Sequence, residues 1–371
     1  MSSNDTTHAR WREFARSLVR LENQNWDFSS GLRAAVIILI PLAVGVWGRV
    51  PLYGVLATLG ALNLLMVTAP KPGVTKLRIL GLACLTNAIA FAAGTLVATL
   101  PDLLEAPFVV IGVALALLLG ADRDRVQLAL ITAVLFVLGI GLPGASANAT
   151  PIRLVLVALG GGWALLAVLL TRRLAPWSGP SSLPSATDAA AVASSVSRLE
   201  LVAYEMPVAL AVGAGFLLGV ELGLPRDFWI MLTVLVALRL DILSTLAYST
   251  MRILGTVGGA TVALVISIAT ANGWLLGVAL AVAVTLMAAS RAVNYIIFAF
   301  TLTIFVILLL DLVFAGGPYF AEVRILDTVI GGGIALLTGS LLWLATNART
   351  QKRRIDPRLA STKTSTLSST P

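Results

Sequence analysis

The chain has 371 residues, of which 58% are hydrophobic and only 12% charged. A soluble domain carries charge on about a quarter of its residues, so this composition excludes the soluble globular class. One cysteine (Cys84) and one histidine (His8) exclude a disulfide framework and multi-histidine or cysteine metal sites, and the net charge of +8 points to cytoplasmic loops of a membrane protein rather than to nucleic acid.

In chain order, residues 1–29 carry Arg10, Glu13, Arg16, Arg20, Glu22 and Asp27 without a long apolar core, so no cleavable signal peptide is predicted. Trp11, Phe14, Leu18 and Leu21 recur at helical spacing, with Arg10, Arg12, Arg16 and Arg20 mainly elsewhere around the helix. This predicts a cytoplasmic amphipathic segment, either on the inner membrane surface or as an ordinary solvated helix packed on the loops. A first six-helix half occupies 30–172, with apolar runs at 31–48, 51–69, 78–100, 103–121, 126–142 and 153–171. Each is long enough, or nearly so, to cross a hydrocarbon core of about 30 Å. Residues 173–205 form a Pro/Ser/Ala/Thr-rich cytoplasmic linker ending in a second amphipathic stretch, where Arg198-Leu-Glu200 echoes Arg20-Leu-Glu22. The second half, 206–347, has runs at about 206–222, 227–246, 252–271, 273–290, 293–314 and 324–346, with Thr270-Ala-Asn-Gly-Trp274 as the turn within a long uncharged stretch. The tail, 348–371, is basic, then Ser/Thr-rich, and reads as disordered. The fold class is therefore an all-α membrane protein of about twelve transmembrane helices in two parallel six-helix repeats.

With the N-terminus inside, 22 of the 26 Lys and Arg residues fall on the cytoplasmic side, as the positive-inside rule requires of twelve spans with both termini cytoplasmic. Three strings recur across the linker. Gly45-Val-x4-Pro51 returns as Gly219-Val-x4-Pro225, and Arg78-Ile-Leu-Gly81 as Arg252-Ile-Leu-Gly255. Arg153-x6-Gly160-Gly-Gly-x-Ala-Leu-Leu returns as Arg324-x6-Gly331-Gly-Gly-x-Ala-Leu-Leu. Their common order and nearly constant offset predict duplication, and an even number of spans per half makes the repeats parallel.

Trp229-x-x-Leu232-Thr233, then Arg252-x-x-Gly255-Thr256-x-x-Gly259, then Arg324-x-x-Asp327-Thr328-x-x-Gly331 resembles the membrane domain of the fusaric acid resistance and aromatic acid exporter family. The resemblance covers the second half well and the first half weakly, where Leu82 and Leu85 stand at the Thr256 and Gly259 positions. It implies a bacterial cytoplasmic-membrane protein that exports aromatic carboxylates or related small molecules. The sequence departs from the family in its short linker, where members often carry a large cytoplasmic domain. It also lacks the proline and extra arginine usual between the first two strings, where Ala237 to Tyr248 stand.

Charges within spans are costly, by about 2.5 to 3.5 kcal/mol at a helix centre, so each needs a reason. Asp327 with Asp311 is a candidate for proton binding and release. An ion pair of Asp327 with Arg324, three residues away at the outer mouth, is the plainer reading. Arg239 and Asp241 interrupt the eighth run, and Arg239 or Arg252 could attract a substrate carboxylate, although Arg239 could equally snorkel to the inner interface. Trp229, Thr233, Thr256 and Asn294 could stack on or hydrogen-bond an aromatic ligand, and Trp229 also fits an aromatic belt. Gly255, Gly259, Gly160, Gly161, Gly162, Gly331, Gly332 and Gly333 are predicted to let helices pack closely.

No Gly-Lys dipeptide occurs, so a Walker-type phosphate loop is excluded. The sequence thus predicts a non-enzymatic secondary exporter of small organic anions, proton-driven, with no cofactor. Its partners are membrane lipid and the anion, not nucleic acid, and a homo-oligomer is left open. The alternative is a non-transporting membrane scaffold or assembly protein. A scaffold should have a filled core, whereas a transporter should enclose a midplane cavity with polar residues from both halves.

Overall fold

A backbone in hydrocarbon must satisfy its own N–H and C=O groups, and a chain this apolar does so by forming helices. A computed structural model describes residues 26–67, 74–121, 125–171, 198–224, 228–239, 242–269, 273–291, 293–314 and 317–355. Asp241 and the expected N-terminal amphipathic segment as far as residue 25 lie outside them, as do most of the linker and the tail from 356. Among the described residues there are twelve α-helices and no strand. Seven are long and apolar enough to cross a membrane, and the protein is an integral membrane protein.

The first six helices are α1 (Phe28–Trp47), α2 (Pro51–Met66), α3 (Val74–Val97), α4 (Asp102–Leu118), α5 (Val126–Gly141) and α6 (Thr150–Thr171). Asp27 caps α1, its carboxylate accepting from the Ser30 N–H and the Ser29 hydroxyl, each at 2.9 Å. Pro51 starts α2 at a position where its missing N–H costs nothing. After the linker come α7 (Arg198–Glu221), α8 (Phe228–Ala237), α9 (Ile242–Ala269), α10 (Gly273–Ser290), α11 (Tyr295–Phe314) and α12 (Gly317–Ile355).

In the first set α1 packs on α2, α2 on α6, α3 on α5 and α6, and α4 on α5. In the second, α7 packs on α8, α8 on α12, α9 on α11 and α12, and α10 on α11. The sets meet where α4 packs on α7, α10 on α1, and α8 on α5, while α2 and α11 touch lightly.

Glycines permit the closest of these approaches. A Cβ at Gly160 would overlap the Ala57 carbonyl, one at Gly259 would overlap the Phe300 carbonyl, and one at Gly331 would stand 2.7 Å from the Ile230 carbonyl. Gly255 and Gly161 are also in close contact, with Ala299 and with the Cys84 sulfur, and Gly332 meets Ile253. Nothing lies within 4 Å of a Cβ built at Gly162 or Gly333, so these two are not packing elements and that expectation is corrected. Only two glycines of each triple run face a neighbouring helix, because three consecutive residues spread over about 200° of the helix circumference, more than one contact face covers.

Three boundaries also differ from expectation. The eighth run is not one helix to residue 246: α8 stops at Ala237, and the ninth helix begins at Ile242 rather than 252. The break is held by Thr245, whose hydroxyl accepts from the Arg239 N–H at 2.9 Å and donates to the Arg239 carbonyl at 3.1 Å. The stretch before 206 is continuous with its span in α7. Finally, α12 begins at Gly317 and runs to Ile355, because the basic stretch contains no Pro or Gly before Pro357, and cations suit a helix C-terminus.

Candidate functional site

Where the two sets of helices meet, a cavity of about 150 Å³ is lined by residues of α2, α5, α8, α9, α11 and α12. Its walls are almost wholly apolar. Phe228, Phe298 and Phe305 contribute rings, and α5 contributes only aliphatic side chains. The polar exceptions are Asn63 of α2, Arg252 of α9, Arg324 of α12, and Trp229 and Tyr295, which carry an aromatic face with a polar tip. The first six helices thus supply one polar residue to the cavity, and the rest come from the second set.

The packing of α12 on α8 determines where Arg324 lies. Gly331 brings the two helices together beside Ile230, and Arg324, two turns earlier on α12, reaches the Trp229 ring. The guanidinium carbon stands 3.9 Å from the ring centroid, a cation–π contact that in desolvated settings contributes about 2 kcal/mol. Arg324 is 2% exposed and Asp327 0%, so both are removed from solvent. Electrostatic interaction joins Arg324 to Asp327, to Arg252 and to Tyr295, which places all four in one cluster. The earlier start of α12 also moves Asp327 inward. It lies nine residues, about 14 Å, from Pro318 at the start of the candidate span rather than one turn inside it.

Buried donors in this cluster stand without hydrogen-bond partners among the described residues: Nε and Nη1 of Arg324, Nε of Arg252 and the hydroxyl of Tyr295. Leaving a buried donor unmet costs about 1 to 3 kcal/mol, more for a charged group. The cluster holds two guanidinium charges and one carboxylate, so an anion brought between the arginines would supply both the acceptors and the charge it needs.

The remaining predicted residues occupy other places. The Thr233 hydroxyl donates to the Trp229 carbonyl at 2.9 Å and its methyl carbon faces Gly331, so it is a helix-packing residue rather than a ligand contact. Asn294 is not a ligand contact either; its side-chain oxygen accepts from the Ile296 N–H at 2.7 Å and caps α11. Thr256 is fully buried, has an unpartnered hydroxyl, and does not line the cavity. Asp311 is half-buried on α11 and likewise outside the cavity wall. Arg239 lies with its guanidinium carbon 4.5 Å from the Tyr248 ring centroid and donates to the Val236 carbonyl. Tyr248 in turn meets Tyr295 edge-on at 5.1 Å, so Arg239 is one aromatic layer removed from the cavity.

Sequence reasoning missed Tyr295 and Asn63, which carry no charge and sit in apolar runs. It also missed the buried carboxylate Glu205 on α7 and two buried arginines, Arg153 and Arg291, which it counted only as loop charges. The guanidinium of Arg153, unlike that of Arg324, is occupied: it donates to the Leu142 and Pro143 carbonyls and reaches the Thr95 hydroxyl.

Compared with known proteins, residues 210–338 match the family described as fusaric acid resistance protein-like. The match extends from within α7 to within α12 and includes Trp229, Arg252, Tyr295, Arg324 and Asp327. No curated protein and no solved structure matches the chain.

Proposed function

We propose that this chain is a secondary, proton-coupled exporter of small organic anions such as aromatic carboxylates, acting in a bacterial cytoplasmic membrane without enzymatic chemistry. The observation that carries the reading is the pair of buried guanidiniums, Arg252 and Arg324, in an apolar cavity where two helix bundles meet. An apolar protein cavity of about 150 Å³ is of the size that takes up benzene, so a single aromatic ring fits the chamber. The ring packs among Phe298, Phe305 and Trp229, and the carboxylate accepts charge-assisted hydrogen bonds from the two arginines. One monoanion brings Arg252, Arg324 and Asp327 to neutrality. Asp327 is the group that binds and releases the coupling proton, since it shares Arg324 with the substrate. The cavity between the bundles weighs against the scaffold alternative, which calls for a filled core.

The same proposal includes twelve spans in two parallel six-helix halves, with both termini cytoplasmic. In its support, the helix pairs that pack within the first six recur within the second when each index is raised by six. The inter-bundle contacts also pair up, α4 on α7 with α10 on α1. Related halves moving about a central site give alternating access in secondary transporters.

The test is purified protein in liposomes with an imposed pH gradient and a panel of labelled aromatic acids. Gradient-dependent flux that disappears in Asp327→Asn supports the proposal; no flux across the panel overturns it.

A further inference from the structure

Arg291 stands in the corner between α10 and α11, 3% exposed, yet its charge is not turned to water. Its Nη1 donates to the Leu65 carbonyl at 2.9 Å and its Nη2 to the Met66 carbonyl at 3.0 Å. Those carbonyls end α2, in the other bundle, more than two hundred residues away. The last carbonyls of a helix have no N–H of their own helix to meet and sit at the negative end of its dipole, so a guanidinium fork fits them in both geometry and charge. Gln127, at the start of α5, adds a third donor, its side-chain nitrogen 2.6 Å from the Met66 carbonyl. Burial pushes the Arg291 pKa down to about 10, which leaves it charged at neutral pH.

Its position makes this cap more than a helix end. Leu62, Asn63 and Met66, at the end of α2, line the cavity, and so does Tyr295, four residues after Arg291. The corner is seated on the first bundle through α10 and α1, but α2 and α11 themselves touch only lightly, so between these two cavity-lining helices the polar cap is the principal tie. At the end of α8 the corresponding bond is local, from Arg239 to the Val236 carbonyl in the same bundle.

We infer that Arg291, assisted by Gln127, is a latch that keeps one mouth of the cavity closed by tying the end of α2 to the α10–α11 corner, and that its release opens the cavity on that side alone. The mouth is cytoplasmic in the orientation proposed above, and only that assignment rests on the proposed function. Because Tyr295 continues directly from the latch corner, an occupant pressing on its ring acts on the same joint.

The experiment measures access, not transport. In a Cys84→Ser background, Leu62→Cys places a single thiol in the cavity wall, and a membrane-impermeant maleimide is applied to right-side-out and inside-out vesicles. Arg291→Gln should raise the labelling rate at least tenfold from the cytoplasmic face and leave it unchanged from the other. Gln127→Ala, which removes the hydrogen bond to the Met66 carbonyl and keeps the arginine, should raise it less, in the same direction; this variant decides the matter if Arg291→Gln fails to fold. Unchanged labelling in the folded variants, or an equal rise from both faces, overturns the latch. A rise confined to the opposite face supports the latch and overturns the proposed orientation.

Discussion

Replacing Arg252 with Gln separates a binding role from a structural one. Arg252 and Arg324 repel each other across the cluster, while Asp327 attracts Arg324. Two unit charges about 4 to 8 Å apart at an effective dielectric near 20 interact by roughly 2 to 4 kcal/mol, part of which returns when one is removed. The Arg252 Nε has no hydrogen-bond partner among the described residues to lose. Arg252→Gln is therefore expected to leave the empty protein as stable as the parent or up to about 1 kcal/mol more stable, a behaviour typical of residues kept for function. The same change removes a charge-assisted hydrogen bond to a bound anion, valued at about 1.5 to 3 kcal/mol, or roughly 10- to 150-fold in affinity. Arg324→Gln should behave differently: it removes the cation from the Trp229 face and the charge that attracts the buried Asp327 carboxylate, a loss of about 2 kcal/mol or more. Thermal unfolding in detergent and titration with benzoate measure both quantities on one preparation. If Arg252→Gln destabilises as much as Arg324→Gln, or binds benzoate as tightly as the parent, the assignment of Arg252 to the anion is refuted.

Trp229→Ala should weaken binding of aromatic more than aliphatic carboxylates of equal charge, about tenfold on a stacking contribution near 1 kcal/mol or above, as read by competition titration. Gly160→Val should cost more than about 3 kcal/mol or abolish folding, since its side chain would overlap the Ala57 backbone. Gly333→Ala should be neutral or stabilising by up to about 1 kcal/mol, because the position is open and Ala favours helix; unfolding curves compare the two. Asp27→Ala should cost about 1 kcal/mol at neutral pH through loss of the α1 cap. The hydrogen bonds from Ser30, above all, hold the Asp27 carboxyl below its ordinary range, so its contribution is complete above about pH 4 and is lost as pH falls further. The difference between parent and variant should then shrink at pH 3, which amide exchange at Ser30 measures.

The all-helical membrane class and the separation of α9, ending at Ala269, from α10, beginning at Gly273, were legible in the sequence, because hydrocarbon imposes long apolar runs and the turn formers between them are local. The break after Ala237 was not legible as a helix end. It is closed by Thr245, a residue eight positions on, and an apolar window continues across it. Within the site, Arg252, Arg324, Trp229 and Asp327 stood out as costly or aromatic residues in apolar surroundings, and the fold brings all four together. Thr233 and Asn294 carried the same kind of signal but meet their own backbone, since a short polar side chain in a helix, or just before one, finds its partner locally. Tyr295 and Asn63 enter the cavity only through the contact of two bundles, which no single helix announces. Arg291 was hidden by the positive-inside pattern itself: a loop arginine satisfies that rule whether it faces water or, as here, the end of another helix.

The central claim is that the cavity between the bundles is an anion site. A structure of the protein solved with 4-bromobenzoate tests it most directly. The account predicts one bound molecule per chain, its carboxylate against Arg252 and Arg324 and its bromine among Phe298 and Phe305, absent from the Arg252→Gln variant at the same concentration. An empty cavity at saturating ligand, or bromine signal only on the lipid-facing surface, would contradict it.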